Sequence, residues 1–156
     1  MNKSDLGKIR QLYPIDKTLK KYNTTYLNLG LNNQKSFSYI TDDEVLAKVN
    51  SGAFKKHPIY PIIVKYNGKE IYDLRDNLKL YIRRNKQGSK TCRILGIGRI
   101  MVSRITAESW YNKIIAKYEN VHHVDGNKDN NYFKNLMILN KEEHVELHRN
   151  RWKEEF

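Results

Sequence analysis

The chain has 156 residues, with 29 Lys and Arg against 17 Asp and Glu, so its formal net charge is +12. Hydrophobic residues make up 39 %, enough for one modest core and too many for a disordered tail. The length excludes a large two-lobed enzyme. No apolar run approaches the roughly 20 residues that cross a bilayer, and the first ten residues, MNKSDLGKIR, carry no apolar secretory core. The single cysteine, Cys92, closes neither an internal disulfide nor a Cys-rich zinc site. A soluble, cytoplasmic protein without a membrane partner is expected.

Taken in chain order, the first 40 residues show only weak helical periodicity. Thr41-Asp42-Asp43-Glu44 then offers a capping box, followed by Val45, Leu46 and Val49, with Gly52 as a stop. Next, Asn67-Gly68 sits between the β-prone runs Tyr60–Tyr66 and Lys69–Tyr72, a strong hairpin signal because both turn residues accept positive φ. Leu78 to Arg84 alternates with period two, Asn85 to Lys90 reads as a turn, and Thr91 to Ile100 as the returning strand. Thr106 to Tyr118 reads as a helix capped by Thr106, with Trp110, Ile114 and Ile115 on its core face.

Charge is unevenly spread along this plan. Between Lys79 and Arg104 stand eight basic residues (Lys79, Arg83, Arg84, Lys86, Lys90, Arg93, Arg99, Arg104) and no acidic one. A basic β-ribbon of this kind suits phosphate contact or entry into a nucleic-acid groove. A solvated sheet face is the alternative.

The last 40 residues hold four of the five histidines, the fifth being His57. Asp125-Gly126 and the asparagines after it mark a tight loop. Leu136 to Leu139 reads as a short strand, and Asn140 with Glu143 as the capping box of a final helix. On that helix His144 and His148 are four apart and share a face, a spacing that offers two imidazoles to one metal ion. His122 and His123 are neighbours on an extended segment and so point to opposite faces. One can then serve a metal ion while the other serves a water beside it, the division of labour that metal-assisted hydrolysis needs.

His122-His123, Asp125-Gly126-Asn127, Asn130-Asn131, Asn135-Leu136, His144 and His148 together resemble the HNH (His-Me finger, ββα-metal) nucleases. The run H-x-D-G-N-x-x-N-N-x-x-x-N-L is similar to that of phage and intron HNH homing endonucleases. The spacing of Asn135, His144 and His148 resembles colicin-type DNases. The resemblance covers about a third of the chain, from Asn120 to Trp152.

With the elements read above it gives an α+β protein: a mostly helical region over 1–56, a basic β-hairpin arm over 57–105, and over 106–156 a helix followed by the ββα-metal finger that the resemblance implies. It implies His123 as general base, and Asn135 as the residue that fixes the loop and holds the His123 ring through a backbone-directed hydrogen bond. His122, His144 and His148 become ligands of one divalent metal ion, Mg²⁺, Mn²⁺, Ni²⁺ or Zn²⁺. The implied activity is endonucleolytic hydrolysis of double-stranded DNA to 3′-hydroxyl and 5′-phosphate ends, by a phage or mobile-element protein in a bacterial or phage-infected cell. Lys79, Arg83, Arg84, Lys86, Lys90, Arg93, Arg149 and Arg151 are the expected nucleic-acid contacts. Monomer and homodimer both remain open. Two other readings are a zinc-stabilised nucleic-acid-binding knuckle without turnover and a nuclease directed at RNA. Asp125, Gly126, Asn130 and Asn131 are expected to shape the loop, and Phe133, Trp152 and Cys92 to pack.

Overall fold

The computed structural model describes residues 1–15, 39–140, 142, 143, 145–147 and 149. Helix α1 (Lys3–Leu12) begins at a reciprocal Asn2–Asp5 capping box. Helix α2 (Asp42–Asn50) begins at the expected Thr41–Glu44 box, which satisfies two otherwise orphaned backbone donors. Arg10 ties the two helices together: its guanidinium bonds both carboxylate oxygens of Asp42, at 3.2 and 2.7 Å, and its Nε donates to the Leu74 carbonyl at 3.0 Å.

Four short antiparallel strands follow in sequential order: β1 (Phe54–Lys56), β2 (Ile62–Lys65), β3 (Ile71–Asp73) and β4 (Leu78–Lys79). Consecutive residues Ile62, Ile63 and Val64 are all buried. The sheet alternates its side chains between faces, so an unbroken buried run means that both faces are covered. Ile63, Phe54, Tyr72 and Leu74 pack with Leu6 and Val45 of the N-terminal helices. Ile62, Val64 and Ile71 pack on the opposite side with Cys92, Ile94, Val102 and Ile105.

The second sheet is β5 (Ile82–Arg84), β6 (Lys90–Ile94) and β7 (Gly98–Met101). Two expectations fail here. The run Leu78 to Arg84 is not one strand: it pairs with β3 as far as Lys79, Leu80 still donates to the Ile71 carbonyl, and pairing with β6 starts at Ile82. Thr91 to Ile100 is likewise two strands, because Gly96 (φ 78) and Gly98 (φ 127) turn the chain back. The expected hairpin is therefore a three-stranded meander.

Helix α3 spans Val102–Tyr111 rather than Thr106 to Tyr118. Thr106 is not its cap. It lies inside the helix, where its hydroxyl donates to the Val102 carbonyl at 2.7 Å, and the helix ends at Asn112 in the left-handed region (φ 49). Trp110 is half-buried and donates its indole N–H to the Val64 carbonyl, Ile115 is buried, and Ile114 is exposed.

Strands β8 (Glu119–His123) and β9 (Leu136–Asn140) form a separate antiparallel pair with a 3-10 turn (Phe133–Asn135) before β9. Ala107 of α3, Ile115 and Leu136 form a small core that seats this pair. Asn140 and Glu143 exchange the two bonds of a capping box at 3.2 and 2.7 Å, as expected, and the described residues between 142 and 149 are helical. The fold is α+β, built of antiparallel sheets and helices. Cys92 is fully buried, and burial pushes its thiol up to about 12. It is a packing residue.

Candidate active site on the β8–β9 unit

Strand β8 ends on the two adjacent histidines, both half-buried. In the ladder His122 stands opposite Met137 and His123 opposite Leu136. Between the strands runs the loop from Val124 to Tyr132, whose shape comes from its polar side chains. Asn127 and Asn130 accept backbone N–H groups two residues on, from Asp129 and Tyr132, the Asx geometry that short amide side chains favour. Gly126 takes φ 74, which a side chain would resist.

Asp125 is the centre of the loop. Its Oδ1 accepts from the Asn127 backbone N–H at 2.8 Å and from the Asn135 amide at 2.9 Å, and its Oδ2 accepts from the Asn130 amide at 2.8 Å. The Asn130 amide above all, then the Asn127 N–H and the Asn135 amide, hold this carboxyl down at about 2. The oxygens of Asp125 are committed to the loop. Asn135 completes the closure: its Oδ1 accepts from the Asp125 N–H, its Nδ2 also donates to the Asn130 carbonyl, and its own carbonyl accepts from the Val124 N–H.

The ring of His123 is engaged by a different asparagine. Its Nε2 lies 2.8 Å from Asn131 Oδ1, a partner the sequence did not single out for it. Asn135 spends its side chain on Asp125 and Asn130 and meets the chain after His123 through the backbone N–H groups of Val124 and Asp125. Asn131 is 4 % exposed.

The loop is also anchored from outside. Phe133 stacks on Trp110 with ring centroids 4.5 Å apart, and its N–H donates to the Tyr66 carbonyl. The Tyr111 hydroxyl donates to the carbonyls of Phe133 and Leu136. Phe133 thus packs as expected, whereas Trp152 lies outside the described residues. Arg84 of β5 bonds Asp129 through both terminal nitrogens, at 2.6 and 2.8 Å, and Lys128 Nζ lies 3.4 Å from the Gln87 carbonyl. A cleft of about 200 Å³ opens between the β2–β3 turn, β5–β6 and the loop, lined in part by Lys69, Lys90, Asp129 and Asn131.

The other expected nucleic-acid contacts, and the neighbouring Arg99 and Arg104, are dispersed. Cross-strand partners share a face, so Arg83, Arg93 and Arg99 all lie on the side of β5–β6–β7 opposite the core-facing Ile82, Cys92 and Ile100, and all three are exposed. Lys86 is exposed at the β5–β6 turn. Lys79 stands half-exposed with its Nζ 3.9 Å from Glu70 Oε1. Arg104 is turned inward and donates to the carbonyls of Ile115 and Ala116. Arg149 is exposed among the helical residues, and Arg151 lies outside the described ones.

Of the expected metal ligands, only His122 is among the described residues; His144 and His148 lie outside them. Among the described residues, no group of three or more His, Cys, Asp or Glu comes together in a way that could hold a metal ion. The nearby carboxylates are already engaged, Asp125 by the loop, Asp129 by Arg84 and Glu119 by Lys113. Among the described residues the expected ligand set is thus represented by His122 alone, which does not by itself make a metal site.

No family model and no curated protein matches the chain. Among solved structures, part of the chain is similar to the HNH homing endonuclease I-HmuI, described for its DNA binding and cleavage. The TM-score is 0.48 and the identity 27 %, over 58 % of this chain and 52 % of that one. The chain thus spans about half the length of that solved protein. The likeness is distant and partial.

Proposed function

We propose that the protein is a metal-dependent HNH endonuclease that hydrolyses DNA phosphodiester bonds. The observation that carries this reading is the paired His122 and His123 at the end of β8, on a loop that Asp125, Asn130 and Asn135 close by mutual hydrogen bonds. The motif resemblance in the sequence supports the same reading. So does the basic face of Arg83, Arg93 and Arg99 on the neighbouring sheet.

His123 takes a proton from the water whose oxygen attacks phosphorus, while the bond from phosphorus to the 3′ oxygen breaks and that oxygen takes up a proton from solvent water. The products are a 3′-hydroxyl and a 5′-phosphate. His122, with His144 and His148, would hold one divalent metal ion. When bound, that ion would supply positive charge to the scissile phosphate and the leaving oxygen. Asn135 and Asp125 keep the loop closed so that His123 is held in place. The exposed arginines of β5–β7, with Lys86, Lys90 and Arg149, neutralise flanking phosphates on the duplex. The cytoplasm of a bacterial or phage-infected cell is where such a protein would meet its DNA.

The test is end chemistry. Plasmid incubated with the protein and each of Mg²⁺, Mn²⁺, Ni²⁺ and Zn²⁺ should yield nicks that a DNA ligase seals directly, and EDTA should prevent them. Nicks that need prior phosphorylation of the 5′ end would contradict the proposed bond cleavage.

A further inference from the structure

Buried polar side chains need a reason. In the loop between β8 and β9, Asn127, Asn130 and Asn135 spend their side chains on the loop itself. Asn131 is the buried one, and its carbonyl oxygen goes to the imidazole of His123 instead. An amide oxygen only accepts hydrogen bonds. The contact therefore requires the proton on Nε2, and in the neutral ring the lone pair is then on Nδ1.

Asn131 is itself held from behind. Gly68, in the β2–β3 turn, has φ +68, and a Cβ there would meet Asn131 Cβ at 3.0 Å and Thr106 Oγ1 at 2.8 Å. Glycine is what lets the turn back so closely onto Asn131. The bond from the Phe133 N–H to the Tyr66 carbonyl pins the same stretch of loop to the same turn.

We propose that Asn131 is a positioning residue that fixes the orientation and tautomer of His123, leaving Nδ1 as the proton acceptor. The role rests on the nuclease reading, but the contact can be tested apart from it. Without this acceptor the ring turns about its side-chain torsion and exchanges tautomers, so the productive arrangement is populated less often. Turnover falls while DNA binding does not. A lost partner of this kind costs about 10- to 100-fold in activity.

The experiment uses the full chain labelled with ¹⁵N-histidine, in mildly alkaline buffer. Long-range ¹H–¹⁵N spectra of the wild type should show His123 protonated at Nε2. In Asn131→Ala the two tautomers should mix, kcat should drop about 10- to 100-fold, and affinity for uncut DNA in EDTA should be unchanged. Asn131→Asp, which keeps an acceptor in place, should retain the wild-type tautomer. A wild-type ring protonated at Nδ1, or an Asn131→Ala protein with unchanged tautomer and kcat, overturns the proposal. A wild type that holds the Nε2–H tautomer and loses it in Asn131→Ala, yet cuts no DNA with any of the metal ions, sustains the contact and overturns the nuclease reading instead.

Discussion

Arg84 and Asp129 meet across 45 residues of chain, with two guanidinium nitrogens on two carboxylate oxygens at 2.6 and 2.8 Å. This bidentate pair joins the basic sheet to the loop that carries Asn131 and follows His123. It also means that Arg84, one of the expected phosphate contacts, already has an anionic partner on the protein.

Removing that partner should change how DNA is held. Asp129→Ala releases Arg84 to a phosphate, so the plot of log affinity against log salt concentration should steepen by about one unit. Arg83→Ala, on the exposed face, should flatten it by about one unit. Fluorescence anisotropy over a salt series reads both. An Asp129→Ala slope equal to that of the wild type would show that Arg84 does not reach DNA.

Gly68 gives a stability prediction. Its positive φ disfavours a side chain, and a Cβ would meet Thr106 Oγ1, Asn131 Cβ and Val102 Cγ1 at 2.8 to 3.1 Å. Gly68→Ala should lower the unfolding free energy by about 1–3 kcal/mol, measured by urea denaturation. Gly52, with φ +86 but nothing near its Cβ position, provides the comparison. Gly52→Ala should cost less.

Away from the site, His57 and Glu108 form a buried pair. His57 is 1 % exposed, and its Nδ1 accepts from the backbone N–H groups of Ile59 and Tyr60, so Nε2 carries the proton it donates to Glu108 at 2.9 Å. The other Glu108 oxygen accepts from the Ile115 N–H, at the start of the segment that leads into β8. Glu108→Ala orphans two buried donors, each worth roughly 1–3 kcal/mol. Thermal unfolding should show a larger loss for Glu108→Ala than for Glu108→Gln. Equal losses would mean that cavity formation, not hydrogen bonding, dominates there.

The acid limb of the loop follows from Asp125. Its carboxyl is held at about 2 in the folded protein, below its ordinary value of 3.8. A depressed folded value contributes stability that is present above the unfolded pKa and is lost as pH falls through the folded one. The loop should therefore stay closed at pH values where ordinary carboxylates have already been protonated. Backbone amide shifts of Asn127 and the Asn130 side-chain amide should report a midpoint near 2, and Asn130→Ala should raise it toward 3.8. A wild-type midpoint at the ordinary value would disprove the network.

Local chemistry explains what the sequence made legible. The Thr41–Glu44 and Asn140–Glu143 capping boxes depend on residues three apart, so they read directly from the chain, although the Asn2–Asp5 box has the same spacing and was missed. The loop after His123 reads for the same reason. The break after Lys79 did not, because alternation marks faces but says nothing of which sheet a strand joins. Helix α3 starts at Val102 with no side-chain cap, so Thr106 drew the boundary four residues late. Gly68 was legible as a turn residue, but Asn67 is not among the residues with positive φ. What Gly68 accommodates is Asn131, 63 positions away in the numbering. Partners such as Arg84–Asp129 and His123–Asn131 are set by packing, which no local pattern encodes.

The decisive comparison is wild type against His123→Ala on supercoiled plasmid, with each divalent metal ion and with EDTA, alongside the affinity of both proteins for uncut DNA. Binding should be equal, the wild type alone should convert plasmid to open circle or linear DNA, and EDTA should stop it. Equal cutting by both proteins would remove His123 from the chemistry. Equal binding with no cutting by either, in every metal ion, would contradict the endonuclease and leave a protein that binds DNA without cleaving it.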